Sequence, residues 1–320
     1  MLEKAAPGAT TAGALPDSVA RHWLDRYAPD WLKPYGRLAR WDRPIGWWLL
    51  LWPCWWSAAL ASVQAEGAFP NIWHMILFLI GAVAMRGAGC TYNDLVDQDI
   101  DAKVARTRAR PIPSGAVSWQ QALLFLFLQC LVGLLVLVQF NAFTIMLGFA
   151  SLVFVAIYPF MKRVTHWPQI VLGISFSWGA LVGWSAVFGS LAVAPVLLYL
   201  GAISWTMAYD TIYAHQDKED DALIGIGSTA QVFGEFTRPA LAGFFALTIL
   251  LMAIAFVLVD ASVIAFIGLL AAAGHFAWQV LTLDIDDADN CLTRFRSNRD
   301  AGTIIFAGLC LDALVRAIFG

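Results

Sequence analysis

Nine apolar stretches, each near the roughly 20 residues a helix needs to cross a hydrocarbon core, dominate the chain. They are Ile45–Gln64, Trp73–Thr91, Trp119–Phe140, Ala142–Phe160, Gln169–Phe188, Ala194–Tyr213, Pro239–Val259, Val263–Leu283 and Ala301–Phe319. Composition agrees. The 320 residues are 60% hydrophobic and 13% charged, about half the charged share of a soluble domain. Too few polar side chains remain to cover a water-facing surface, which excludes a cytosolic enzyme and a disordered chain. A net charge of -3 excludes a nucleic-acid binder. The five cysteines are scattered, with no zinc spacing and an odd count that gives no disulfide framework. The fold class is an all-α polytopic membrane protein embedded in a lipid bilayer.

Positive charge sets the orientation. Lys and Arg cluster before the first span and in the loops after the second, fourth, sixth and eighth, while the other loops hold none. Nine spans with the amino terminus inside put every positive loop on one side. The expected location is a bacterial inner (plasma) membrane, with the N-terminus cytoplasmic and the C-terminus periplasmic. Residues 1–34 lack an apolar signal-peptide core and the Arg- and Ser-rich character of an organellar presequence. They read as a cytoplasmic tail, either with an interfacial amphipathic stretch near Ser18–Leu32 or solvated throughout, ahead of a membrane domain over 35–320.

Ionisable residues at span ends are expensive and therefore informative. After the second span, Asn93, Asp97 and Asp101 recur every four residues, with Asp94 a turn before Asp97. If the helix continues, these four share a face, and Asp99 points to solvent. After the sixth span, Asp210, Tyr213, Asp217 and Asp221 again fall on one face. So many carboxylates around one cavity repel one another unless a cation intervenes. Oxygen-only ligands select a hard ion such as Mg²⁺. The bland alternative is a pair of solvated acidic loops.

Cations stand near both clusters. Arg106 and Arg110 are one turn apart before Pro111 and Pro113, and arginine binds phosphate bidentately. Tyr158 and Lys162 are also one turn apart and aim a hydroxyl and an ammonium at one point. The pattern is a metal-diphosphate clamp. Arg86 lies inside the second span, two turns before Asn93. Its depth suits an anionic group on a second substrate; the alternative is an ion pair with Asp210. Asp312 and Arg316, spaced for a helix-internal pair, read as structural.

At these residues the chain resembles the UbiA-type membrane prenyltransferases. Asn93-Asp94-x-x-Asp97-x-x-x-Asp101 matches the first aspartate motif of that family. Asp210-x-x-Tyr213-Ala214-x-Gln216-Asp217-x-x-x-Asp221 matches the second. Supporting stretches include Asp42-Arg43-Pro44-Ile45-Gly46, Met85–Cys90, Arg106–Gly115 and Tyr158–Arg163. They are most similar to the members that prenylate 4-hydroxybenzoate in ubiquinone biosynthesis.

The resemblance implies nine transmembrane helices ringing a central cavity and a Mg²⁺ cofactor. It implies transfer of a polyprenyl group from polyprenyl diphosphate to the ring carbon ortho to the hydroxyl of 4-hydroxybenzoate. It places Asp94, Asp97, Asp101, Asp217 and Asp221 at the metal. Asn93, Arg106, Arg110, Tyr158, Lys162, Asp210, Tyr213 and Gln216 are placed on substrate, and Arg86 on the benzoate carboxylate. One departure is Gly227, where relatives often carry Lys; a phosphate contact is then absent or supplied by Lys218. The alternatives are another acceptor (a haem, dihydroxynaphthoate or homogentisate) and, in a different class, a secondary transporter.

Overall fold

The computed structural model describes residues 22–67, 69–103, 107–216, 218 and 225–319. The described residues form helices and turns, without strands: α1 Trp23–Tyr27, α2 Lys33–Leu38, α3 Ile45–Gln64, α4 Ile72–Asp101, α5 Trp119–Leu137, α6 Ala142–Met161, α7 Pro168–Ser177, α8 Gly179–Phe188, α9 Val193–Ala214, α10 Thr229–Phe233, α11 Thr237–Leu258, α12 Val263–Thr282 and α13 Ala288–Phe319. A single 3₁₀ turn, Gly234–Phe236, joins α10 to α11.

Among the described residues, seven segments are long and apolar enough to cross a membrane, by length and composition. Helices α3 and α9 reach the length but not the mean hydropathy. Trp47, Trp48, Trp52, Trp55 and Trp56 dilute α3, while Tyr199, Tyr209, Asp210 and Tyr213 dilute α9. Three expected segments differ in extent. Helix α4 runs ten residues past Thr91, to Asp101. The fifth segment is interrupted at Trp178, whose indole donates to the Leu147 carbonyl at 2.9 Å. Helix α13 begins at Ala288 rather than 301. The expected split at Asn141 is present, and its side chain caps α6 by accepting from the Thr144 amide at 3.0 Å.

The chain divides into two compact units. One comprises residues 1–44 and 87–129, the other 45–86 and 130–320. In the first, Leu38, Ile112, Val117 and Ala122 form the core, flanked by Tyr35, Leu95 and Phe125. The amphipathic stretch is helical only over α1 within its described part. Ala28 turns extended (ψ 140°) before Pro29, as a residue preceding proline prefers. Leu24 is fully buried, Trp23, Tyr27 and Trp31 are exposed, and Asp25 pairs with Arg37 at 3.0 Å.

The second unit packs an aromatic core of Trp52, Trp56, Trp205, Tyr209, Phe256 and Phe276. Two of these three indoles find acceptors: Trp56 donates to the Gly302 carbonyl at 2.9 Å and Trp205 to Asn298 Oδ1 at 2.8 Å, while Trp52 Nε1 has none among the described residues. Asp312, fully buried, accepts from the amide of Ser262 and from its hydroxyl, while Arg316 Nε stands at 3.7 Å. The carboxylate therefore caps α12 across helices as well as pairing within its own.

Candidate active site

The first acidic set stands on the last turns of α4. The helix continues unbroken, so Asp94, Asp97 and Asp101 are buried, Asn93 is half-buried and Asp99 is exposed. Asp94 accepts from Arg40 Nη2 at 2.8 and 2.9 Å on its two oxygens, and from Arg110 Nη1 at 3.3 Å. The same Arg110 nitrogen donates to Asp101 Oδ2 at 2.7 Å. Arg110, expected on phosphate, thus also neutralises two of the acids. Thr107, in the Arg-rich turn, donates its hydroxyl to the Asp101 carbonyl at 2.9 Å and ties that turn to the end of α4. Arg106 lies outside the described residues.

The second set is only partly described. Asp210 is on the last turn but one of α9, half-buried, with Arg86 near enough to act on its charge. Gln169 is buried, and its Oε1 accepts from the Thr229 amide at 3.3 Å. No sequence motif marks Gln169. Tyr213 packs on Phe295 at 4.6 Å between ring centroids, and Gln216 donates to the Tyr213 carbonyl at 3.2 Å. Asp217 and Asp221 lie outside the described residues. His215, between these positions, bonds through Nε2 to the Thr237 hydroxyl at 2.9 Å.

Arg86 belongs to the second unit. Its guanidinium lies over the Phe176 ring at 5.3 Å and close enough to Asp210 to interact electrostatically, but not as an ion pair. Its Nε is buried with no hydrogen-bond partner among the described residues. Only a glycine at 46 leaves room for it: a Cβ there would collide with the guanidinium. A buried donor without a partner is costly, and a carboxylate in that place would satisfy it.

Tyr158 stands on α6, and Lys162 is the residue that ends that helix; both are half-buried. The Lys162 carbonyl accepts from the Gly227 amide at 3.0 Å. Gly227 itself lies flat against the backbone of the next turn, where a Cβ would sit 2.6 Å from the Thr165 oxygen and 2.9 Å from the His166 Cα. The departure at this position therefore has a steric reason.

The donor set is oxygen-only, as a hard divalent cation requires. Among the described residues no three carboxylate, thiol or imidazole side chains gather as a metal site. Of the acids expected at a metal, Asp97 and Asp101 are among the described residues, both buried on α4. Asp94 has both oxygens engaged by guanidinium groups.

Residues 50–301 match the UbiA prenyltransferase family. The chain belongs to this family. It is 49% identical over 290 residues to the mitochondrial 4-hydroxybenzoate polyprenyltransferase of Arabidopsis thaliana, covering 90% of this chain and 71% of the relative. The mitochondrial 4-hydroxybenzoate polyprenyltransferase of Mus musculus is 46% identical over 312 residues, covering 97% and 82%. The Homo sapiens relative of the same name is 48% identical over 290 residues, covering 90% and 77%. Among solved structures, the apo UbiA homolog from Aeropyrum pernix K1 superposes with a TM-score of 0.69 at 24% identity, covering 83% of this chain and 97% of that one. The Archaeoglobus fulgidus homolog bound to GPP and Mg²⁺ gives a TM-score of 0.62 at 19% identity, covering 88% and 99%. Both show a common fold.

These relatives overturn the bacterial inner-membrane location. The similar proteins at 46–49% identity are mitochondrial by name, which points to the mitochondrial membrane. The assignment of the termini to cytoplasm and periplasm falls with it. The physical reason is that the distribution of Lys and Arg tells one face of a bilayer from the other, not one bilayer from another.

Proposed function

We propose that this UbiA-family protein transfers a polyprenyl group from polyprenyl diphosphate to 4-hydroxybenzoate, at the carbon ortho to the hydroxyl and meta to the carboxylate, in ubiquinone synthesis. The relatives named above support the reaction. Arg86 carries the acceptor: a half-buried side chain, packed on Phe176 and with a buried Nε that has no partner among the described residues, suits a benzoate carboxylate with its ring beside the aromatic side chain. In this reading α3 and α9 complete nine membrane helices around a central cavity.

Asp97 and Asp101, with Asp217 and Asp221, are the residues that would hold Mg²⁺. Bound there, the ion supplies charge neutralisation to the leaving diphosphate. Arg106, Arg110 and Lys162, with Asn93 and the Tyr158 hydroxyl, bind the same group and stabilise the charge that develops as the allylic C–O bond breaks. Arg86 orients the ring so that its nucleophilic carbon meets the allylic carbon. Asp210, Tyr213 and Gln216 line the substrate. The apolar helices exclude water from the allylic cation.

A radiolabel assay on purified protein tests this, using polyprenyl diphosphates of several lengths with and without Mg²⁺. Prenylated 4-hydroxybenzoate, formed only with the metal, is expected. Product with homogentisate or dihydroxynaphthoate but none with 4-hydroxybenzoate would reassign the acceptor. Turnover in chelator would remove the metal.

A further inference from the structure

Arg40 lies outside both aspartate motifs, yet it is tightly constrained. Its φ of 58° is left-handed, a region that residues other than glycine enter at a cost and that tends to persist where function requires it. The backbone turn is closed by the Arg40 amide donating to the Arg37 carbonyl at 3.2 Å. The side chain then folds inward. Nη1 donates to the carbonyls of Arg37 and Leu38 at 2.8 and 3.5 Å, and Nη2 reaches both oxygens of Asp94 at 2.8 and 2.9 Å. Arg40 is 8% exposed and Asp94 0%.

The chain of contacts continues. The Asp94 oxygen that accepts from Arg40 at 2.8 Å also accepts from Arg110 at 3.3 Å, and Arg110 extends to Asp101 at 2.7 Å. Charge alternates along Arg40, Asp94, Arg110 and Asp101. A buried carboxylate that loses one of two cationic partners is left undercompensated. It would draw Arg110 inward and away from Asp101.

We infer that Arg40 is a positioning residue: its left-handed backbone aims it at Asp94, and Asp94 in turn fixes the guanidinium of Arg110. Asp94 is then an anchor for a substrate-facing base, not a metal ligand. This rests on the role proposed above for Arg110 at the diphosphate.

The test is a mutant cycle on the full-length protein: Arg40→Gly, Arg40→Lys, Asp94→Asn and the Arg40→Gly/Asp94→Asn pair. Glycine removes the guanidinium and also the left-handed strain, so the fold is expected to survive. Kinetics with each substrate are paired with the thermal shift produced by Mg²⁺ alone. Arg40→Gly is expected to lower kcat/KM for polyprenyl diphosphate about 30-fold or more, leaving KM for 4-hydroxybenzoate within about twofold. Arg40→Lys should recover part of the loss. The double variant should be no worse than Arg40→Gly alone, and Asp94→Asn should keep the Mg²⁺ shift.

Losses that multiply in the double variant would overturn the inference, as would an Asp94→Asn protein that no longer responds to Mg²⁺. Should Arg40→Gly not fold, the same cycle run with Arg40→Lys decides between coupled and independent losses. An inactive wild type would sink the prenyl-transfer reading and this inference with it. An active wild type with independent losses sinks this inference alone.

Discussion

Replacing Gly46 with alanine tests the Arg86 assignment without changing Arg86. Gly46 is the second residue of α3, and an added Cβ would lie 3.0 Å from Nη2 and 3.1 Å from Cζ of Arg86, closer still to Nε. Ordinary carbon contacts fall at about 3.5–4.0 Å, so the guanidinium must retreat by up to about 1 Å. Two effects then oppose each other. Alanine favours the helix by about 0.5–1 kcal/mol over glycine, and the obstacle is the mobile end of a side chain, so the fold should hold or gain slightly. A misplacement of about 1 Å at a substrate-positioning group costs about 100-fold in rate, near 2.7 kcal/mol. Steady-state kinetics with each substrate varied in turn should show kcat/KM for 4-hydroxybenzoate falling by about that factor, with KM for polyprenyl diphosphate unmoved. Thermal unfolding in detergent should stay level. Wild-type acceptor kinetics in Gly46→Ala would refute the placement of Arg86 on the carboxylate, and equal loss toward both substrates would point to a general disturbance.

Other expectations follow from the same contacts. Asp312→Ala leaves the Ser262 amide and hydroxyl without their buried acceptor and should cost about 1–3 kcal/mol, read as a lower unfolding temperature with little change in KM. Burial, helped by Lys218 and opposed by Asp286, holds the His215 imidazole down at about 4, against 6.5 ordinarily. The unfolded chain therefore takes up the proton first, so stability is whole above about pH 6.5 and falls as pH drops toward about 4; melting curves of His215→Gln should be flatter across that window. Asp97→Ala should abolish turnover while leaving folding intact, and normal activity in it would take Asp97 out of the machinery.

The helices were legible because apolar length is a property of one segment. So was the acidic face of α4: spacing of four residues places Asp97 and Asp101 together wherever the helix continues, and Asp99 away from them. The partners of those acids were not legible. Arg40 meets Asp94 across 54 positions of chain, and only the fold brings such residues together. The vacant space at Gly46 is likewise invisible until Arg86 is seen filling it. The hydropathy of α3 and α9 shows the converse, because their tryptophans and tyrosines lower the mean of segments whose length the sequence does show.

The contact at Gly227 bears on how this chain could diverge from its relatives. With its amide on the Lys162 carbonyl and no clearance toward Thr165 and His166, residue 227 cannot acquire a side chain by a single codon change without first reshaping the 165–166 backbone. A side chain at 227 should therefore require accompanying replacements at Thr165 and His166.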